Sequence, residues 1–164
     1  MAGILPSANK KLKFNISLKP DHKIAIVVSE WNLAITSNLL KAAKTTLELN
    51  GLKNQLVIVH VPGAFELPLT SSWLLKKKKI EGVICLGCVI QGETKHDDYI
   101  NHSIAQAFIN LSLLTGKPLI YGVLTTNTKK QALDRSGGKL GNKGEECAIA
   151  LLKMLSLKSI IKTL

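Results

Sequence analysis

The feature that most constrains this chain is a repeated switch in hydrophobic period. Four apolar runs of strand length, at residues 23–29 (KIAIVVS), 55–61, 82–90 and 118–125, are each followed by a helix-like segment. The runs lack polar alternation, the pattern of strands covered on both faces. After the first, Leu33, Leu40, Ala43 and Leu47 mark a helix over 32–50, and Gly51 is suited to end it. After the second, 66–79 has helical period, with Pro68 tolerable only in the first turn. After the third, Ile100, Ile104, Phe108, Leu111 and Leu114 mark a helix over 97–115. A short helix over 127–136, a glycine-rich loop over 137–142 and a last helix over 143–155 follow. Strands alternating with helices predict βαβ crossovers, and so an α/β three-layer α/β/α sandwich around a four-stranded parallel sheet.

Residues 1–13 are Lys-rich, contain Pro6 and read as a flexible arm, leaving 14–164 as one domain. Residues 14–18 (FNISL) alternate with period two, as a half-buried edge strand does. An unpaired edge invites another chain, so this strand is expected to pair with a neighbouring subunit.

Composition narrows the function classes. A chain of 17.8 kDa buries enough surface to fold without disulfides or metals. The net charge is +11, yet it rests on 21 Lys and a single Arg, with only seven aromatic residues. Nucleic-acid readers lean on Arg and on aromatic stacking, so no specific nucleic-acid partner is expected and the lysines read as a solvated face. The apolar runs fall well short of the ~20 residues that span a membrane. Three Cys without a disulfide-framework spacing, and an N-terminus without a secretory pattern, point to the cytoplasm.

In parallel α/β sheets, ligands bind outside the carboxyl ends of the strands. That rule selects three loops, at 29–32, 61–66 and 91–98. The third, Gly92-Glu93-Thr94-Lys95-His96-Asp97-Asp98, opens a helix, where backbone amides can hold a phosphate. His96 at its mouth is a candidate general acid or base, or else a residue that only solvates a helix start. Trp31 and Phe65 are either edges of the core or platforms for a flat ligand. Gly63 frees the backbone to approach a ligand. Arg135, the single planar fork in a lysine chain, suits phosphate. Cys85 and Cys88 form a CxxC, but within a strand they face opposite ways, so they read as buried structural thiols. Neither GxxxxGK[ST] nor GxGxxG occurs.

Three stretches, taken together, resemble the lumazine synthase family of riboflavin biosynthesis. They are Pro62-Gly63-Ala64-Phe65-Glu66-Leu67-Pro68, the run from Gly87 to Tyr99 (GCVIQGETKHDDY), and the run from Asp134 to Gly144 (DRSGGKLGNKG). Their order and spacing carry the likeness, from about Lys23 to Leu155. The resemblance implies a flavodoxin-like fold. It also implies condensation of 5-amino-6-(D-ribitylamino)uracil with 3,4-dihydroxy-2-butanone 4-phosphate, giving 6,7-dimethyl-8-ribityllumazine, phosphate and water, without cofactor or metal. By the same resemblance, Trp31 would stack on the pyrimidine, and Asn32, Ala64, Phe65 and Glu66 would contact the ring and ribityl chain. Cys88, Val89 and Ile90 would line the ring pocket, the backbone at Glu93 and Thr94 would bind phosphate, and His96 would transfer protons. Tyr121, Arg135 and Lys143 match residues that the family supplies from the neighbouring subunit.

The chain departs from common family sequences at Asp97, where an aromatic is frequent, at Gln91, where Arg is frequent, and at Trp31, where Phe is commoner. The alternative class is a non-catalytic flavin- or nucleotide-binding α/β module, which would need neither His96 nor Arg135. The resemblance implies a homo-oligomer built from pentamers with active sites at subunit interfaces, and leaves open an association with riboflavin synthase. The loop after Arg135 lacks the extra residues of many family members that stop at the pentamer, so an icosahedral shell is expected. Sedimentation of the native protein should show a particle of twelve pentamers; a pentamer mass would contradict the shell.

Overall fold

A computed structural model describes Phe14, Ile16 and residues 18–164. The order of elements is β1 (Lys23–Ser29), α1 (Leu33–Leu47), β2 (Leu56–Val61), α2 (Leu67–Leu75), β3 (Ile80–Ile90) and α3 (His96–Thr115). β4 (Leu119–Thr126), α4 (Lys129–Asp134), β5 (Ser136–Gly138), β6 (Gly141–Asn142) and α5 (Lys143–Ile161) complete it. Four strands form the main sheet in the order β2-β1-β3-β4, and every pairing within it is parallel. The fold is therefore the flavodoxin-like α/β sandwich expected from the alternation.

Each face of the sheet has its own core. Ile24, Ile26, Val28, Ile84 and Leu86 turn toward α1 and α5, meeting Leu39, Ala43, Ala148, Leu151 and Leu152. Ala25, Val27, Val83 and Cys85 turn the other way, toward Leu67, Leu75, Ile104 and Phe108 of α2 and α3. The period-two geometry of a strand sorts the residues of β1 and β3 between the two layers, which is why both strands read as unbroken apolar runs.

The lysine cluster after α2 lies at the end of the sheet opposite the carboxyl ends of the strands. Lys79 pairs with Asp21 at 3.0 Å, and Lys117 donates to the carbonyls of Leu75 and Lys77 at 2.8 Å each, closing the C-terminus of α2. Cations at a helix C-terminus meet the negative end of its dipole.

Several boundaries differ from the sequence reading. α1 ends at Leu47, and the chain then turns through Asn50 and Gly51, the latter at φ +87°. α2 stops at Leu75 rather than at 79. α5 runs on to Ile161 rather than 155, because no Gly or Pro interrupts it after its buried stripe fades. The stretch 137–142, expected as a loop, forms the short antiparallel ladder β5–β6, with Gly137 and Gly141 at positive φ. Strands of three and two residues are too short to show a period. The expected edge strand at 14–18 is not assigned: Phe14, Ile16 and Leu18 lie outside any strand and rest, partly buried, against the α1–α5 core. Asn15, Ser17 and the arm at 1–13 lie outside the described residues.

α5 begins in close contact with α1. A Cβ at Gly144 would collide with the Leu39 carbonyl oxygen and stand 2.7 Å from its carbon. Backbone cannot yield as a flexible side chain can. Gly144→Ala is expected to destabilise the fold by about 1–3 kcal/mol or more, read as a lowered midpoint in urea unfolding.

Candidate active site

β1 and β3 are neighbours from which the chain departs in opposite directions across the sheet, so a crevice opens at their carboxyl ends. Three loops build its walls. The loop after β1 is tied to β2: Glu30 N–H donates to the Val61 carbonyl at 2.8 Å, and Trp31 N–H to the Pro62 carbonyl at 3.2 Å. The loop after β2 turns through Gly63 into a short 3₁₀ segment, Ala64–Glu66, ahead of α2. There the Glu66 carboxylate accepts the Gly63 N–H at 2.9 Å, which satisfies one free amide at the helix start. The loop after β3 leads into α3, whose first residue is His96.

Together these loops enclose a cavity of about 560 Å³. Trp31, Asn32, Ala64, Phe65, Glu66, Cys88, Val89, Ile90, Thr94 and His96 line it, which brings ten expected site residues to one place. The size suits a small organic ligand. Trp31 is 73% exposed and Phe65 61%, so neither ring serves as an edge of the core in this chain. Two large aromatic surfaces facing one cavity can hold a flat heterocycle. Thr94 and His96 bring a hydroxyl and an imidazole to the rim, beside the amino end of a 20-residue helix. That helix end favours negative charge.

Gly63, Gly92, Asp97 and Ile100 also line the cavity. The helical period assigns Ile100 to the core stripe of α3, and it does pack against that core while also reaching the cavity. It lies four residues after His96 and so on the same helix face, a spacing legible in the sequence. Asp97 is half-buried next to His96.

Four expected residues lie outside this cavity. Glu93 is exposed in the loop just before Thr94. Tyr121 lies within β4, level with Cys85, and its ring meets Phe108 edge-on at 5.6 Å. Burial raises its phenol above the ordinary value. Arg135 and Lys143 gather on Glu146. The guanidinium contacts both carboxylate oxygens, at 2.8 and 2.9 Å, and Lys143 Nζ lies 3.4 Å away. Arg135 also donates to the Leu140 carbonyl at 2.6 Å, which ties it to the β5–β6 turn. The result is a cationic pair around one carboxylate, oriented and partly buried.

The sequence model of the 6,7-dimethyl-8-ribityllumazine synthase family matches residues 21–159. That span includes all three loops and the Arg135–Lys143 cluster. The chain belongs to the 6,7-dimethyl-8-ribityllumazine synthase family. It is 51% identical over 132 residues to the 6,7-dimethyl-8-ribityllumazine synthase of Cytophaga hutchinsonii, covering 80% of this chain and 83% of the relative. The synthase of Phocaeicola vulgatus is 47% identical over 137 residues, 83% of this chain and 82% of the relative. That of Bacteroides fragilis is 47% identical over 134 residues, 81% of this chain and 94% of the relative. Membership of a synthase family supports the reading of this chain as an enzyme. No helix among the described residues is long and apolar enough to cross a membrane.

The CxxC plays the structural part expected of it. Cys85 faces the α2–α3 core, where its sulfur lies 3.0 Å from Ser71 Oγ, and Cys88 faces the α1–α5 core. Burial pushes the Cys85 thiol up to about 12, against a smaller lowering by Ser71. It pushes Cys88 up to about 11 and Cys147 up to about 12. A thiol of the unfolded chain ionises near its ordinary 9.0. The folded state therefore holds protons that the unfolded state loses, so this contribution to stability is complete below about 9 and declines as pH rises toward 11–12. The native protein is expected to leave all three thiols unreactive toward a disulfide reagent near pH 8, with full reaction after denaturation.

Proposed function

We propose that this chain is a lumazine synthase that condenses 5-amino-6-(D-ribitylamino)uracil with 3,4-dihydroxy-2-butanone 4-phosphate. The products are 6,7-dimethyl-8-ribityllumazine, phosphate and water, in the penultimate step of riboflavin biosynthesis. The observation that carries the reading is that Trp31, Phe65, Thr94 and His96, the first residue of α3, line one and the same cavity. One wall offers flat aromatic surface for a pyrimidine, and the other offers the positive end of a helix for a phosphate.

The chemistry asks for no nucleophilic side chain. An amine of the pyrimidine adds to the ketone, giving a carbinolamine that loses water to an imine. Elimination expels phosphate from C4 and leaves an enol that tautomerises to a ketone at C3; the second amine adds to that ketone and closes the ring with loss of another water. Holding the two reactants together supplies most of the acceleration. His96 takes and returns protons, a contribution on the order of 10²- to 10⁴-fold. The reading requires no cofactor and no metal.

We further read the working unit as an assembly of pentamers in which Tyr121, Arg135 and Lys143 complete a neighbour's cavity. Their position outside the cavity of their own chain fits that reading. So does the amount of apolar surface left on α2 and α3, where Leu69, Trp73, Ile109, Leu113 and Leu114 are exposed. Glu146 would then hold Arg135 and Lys143 oriented toward the phosphate with one positive charge in excess. A strand from the 14–18 segment of one copy laid along β2 of the next would cover an open sheet edge.

The test mixes the purified protein with both substrates and follows lumazine fluorescence. Product should form well above the spontaneous rate. Arg135→Ala should abolish most of the enhancement through loss of phosphate binding. His96→Ala should slow turnover by about 10²- to 10⁴-fold at most and leave a measurable rate. No enhancement from a correctly assembled protein would instead favour a flavin- or nucleotide-binding module.

A further inference from the structure

Asn32 is the one non-glycine residue with a positive φ among the described residues, at φ 59° and ψ 43°. Left-handed backbone costs about 1 kcal/mol or more for most side chains, and glycine would avoid the cost. Asn32 opens α1, and its carbonyl accepts the N–H groups of Ile35 and Thr36 at 2.8 and 3.1 Å. A residue at this position ordinarily turns its side chain onto the helix amides. Asn32 makes no such cap. Its amide Nδ2 instead donates to the Cys88 carbonyl on β3 at 2.9 Å, across 56 positions of sequence.

The position of that carbonyl explains the bond. The pairing of β1 with β3 ends at Val28 and Leu86. Beyond it, β3 continues to Ile90, paired on its other side to β4. β1 has run out where Cys88 needs a partner on the inner side. The Asn32 amide supplies it, standing in for the next strand residue. Trp31 is thus held from both directions: its own N–H reaches β2 at Pro62, and the following side chain reaches β3 at Cys88.

We infer that Asn32 is a positioning residue whose side-chain amide, bonded to the Cys88 carbonyl, clamps the Trp31 loop across the cavity floor and so fixes the aromatic platform for the ring substrate. The left-handed backbone aims the amide at β3 while the carbonyl starts α1. Glycine would satisfy the backbone but not the clamp. The role differs from direct contact with a ligand, because the bond exists in the ligand-free chain. Its consequence for substrate binding rests on the proposed reaction.

The experiment compares the parent enzyme with Asn32→Asp and Asn32→Gly in two readouts. Asn32→Asp keeps a side chain tolerant of left-handed backbone but replaces the donor with an acceptor facing a carbonyl. Asn32→Gly keeps the backbone and removes the amide. In ligand-free protein, hydrogen exchange at the Glu30 and Trp31 amides should accelerate several-fold in both variants, while the core of β1 and β3 is unchanged. In steady-state assays, KM for the pyrimidine should rise about three- to tenfold, the loss of one hydrogen bond, with kcat within about a factor of two.

A raised KM with unchanged loop exchange would overturn the clamp in favour of a direct ligand contact. Faster exchange with unchanged KM would overturn its role in substrate binding. Acceleration throughout the sheet would overturn it in favour of a general loss of stability. Faster local exchange in a protein whose parent makes no lumazine would leave the clamp standing and refute the proposed reaction instead.

Discussion

The molecule depends on the parallel pairing of β1 with β2 on one side and β3 on the other. Both neighbours of β1 follow it in the chain, so the sheet grows outward from this strand on either side. Ile24 through Val28 are buried on both faces, so this strand belongs to both cores at once. Its register with β2 and β3 brings Ser29, Val61 and Cys88 to the same edge of the sheet. The three loops that follow are neighbours in space because their strands are, although they are far apart in sequence. The cavity is a consequence of that register, and a slip of one residue would turn the apolar sets of β1 toward the wrong layers.

Rigidity and exposure are divided between the sheet and its loops. The sheet reaches the cavity at the carboxyl end of β3, with Cys88, Val89 and Ile90, while Trp31, Phe65 and Thr94 come from the segments that follow the strands. The loops are nonetheless tied down: Gly63 to Glu66, Trp31 to Pro62, and Asn32 to Cys88. Each bond spans a different distance along the chain, and together they leave the aromatic rings exposed on a constrained backbone. Such an arrangement reduces the ordering cost when a flat ligand binds.

Charge is arranged with similar economy. Three of the lysines end in a helix C-terminus or an ion pair at the opposite end of the sheet: Lys117, Lys79 and Lys158. The lone arginine is treated differently. Glu146 and the Leu140 carbonyl hold Arg135 from several sides, with Lys143 beside it. A side chain so restrained differs from a solvated lysine that covers a surface, and this distinction underlies the role given to Arg135 in the proposed reaction.

The fold class was legible in the chain, because four mainly apolar runs alternating with helical periods leave few arrangements other than a parallel sheet covered by helices. The sequence also placed His96, Trp31 and Phe65 in loops at strand ends, since strand-to-helix switches are visible as changes of period. The opposite facings of Cys85 and Cys88 followed from the two-residue period of a strand. The rest was not carried by apolar period. The β5–β6 ladder was too short to leave a pattern, and the end of α5 depended on continued helix propensity rather than on burial. That Ile100 serves the cavity as well as the core could be suspected from its spacing to His96, but only the loops opposite could decide it. The Asn32–Cys88 bond and the Arg135–Glu146 pair were not legible, because a hydrogen bond across 56 residues, or a fork closing on one carboxylate, has no local signature in the chain. Local pattern reports which face of an element is buried; which elements then meet is settled by the register of strands and the packing of helices on them.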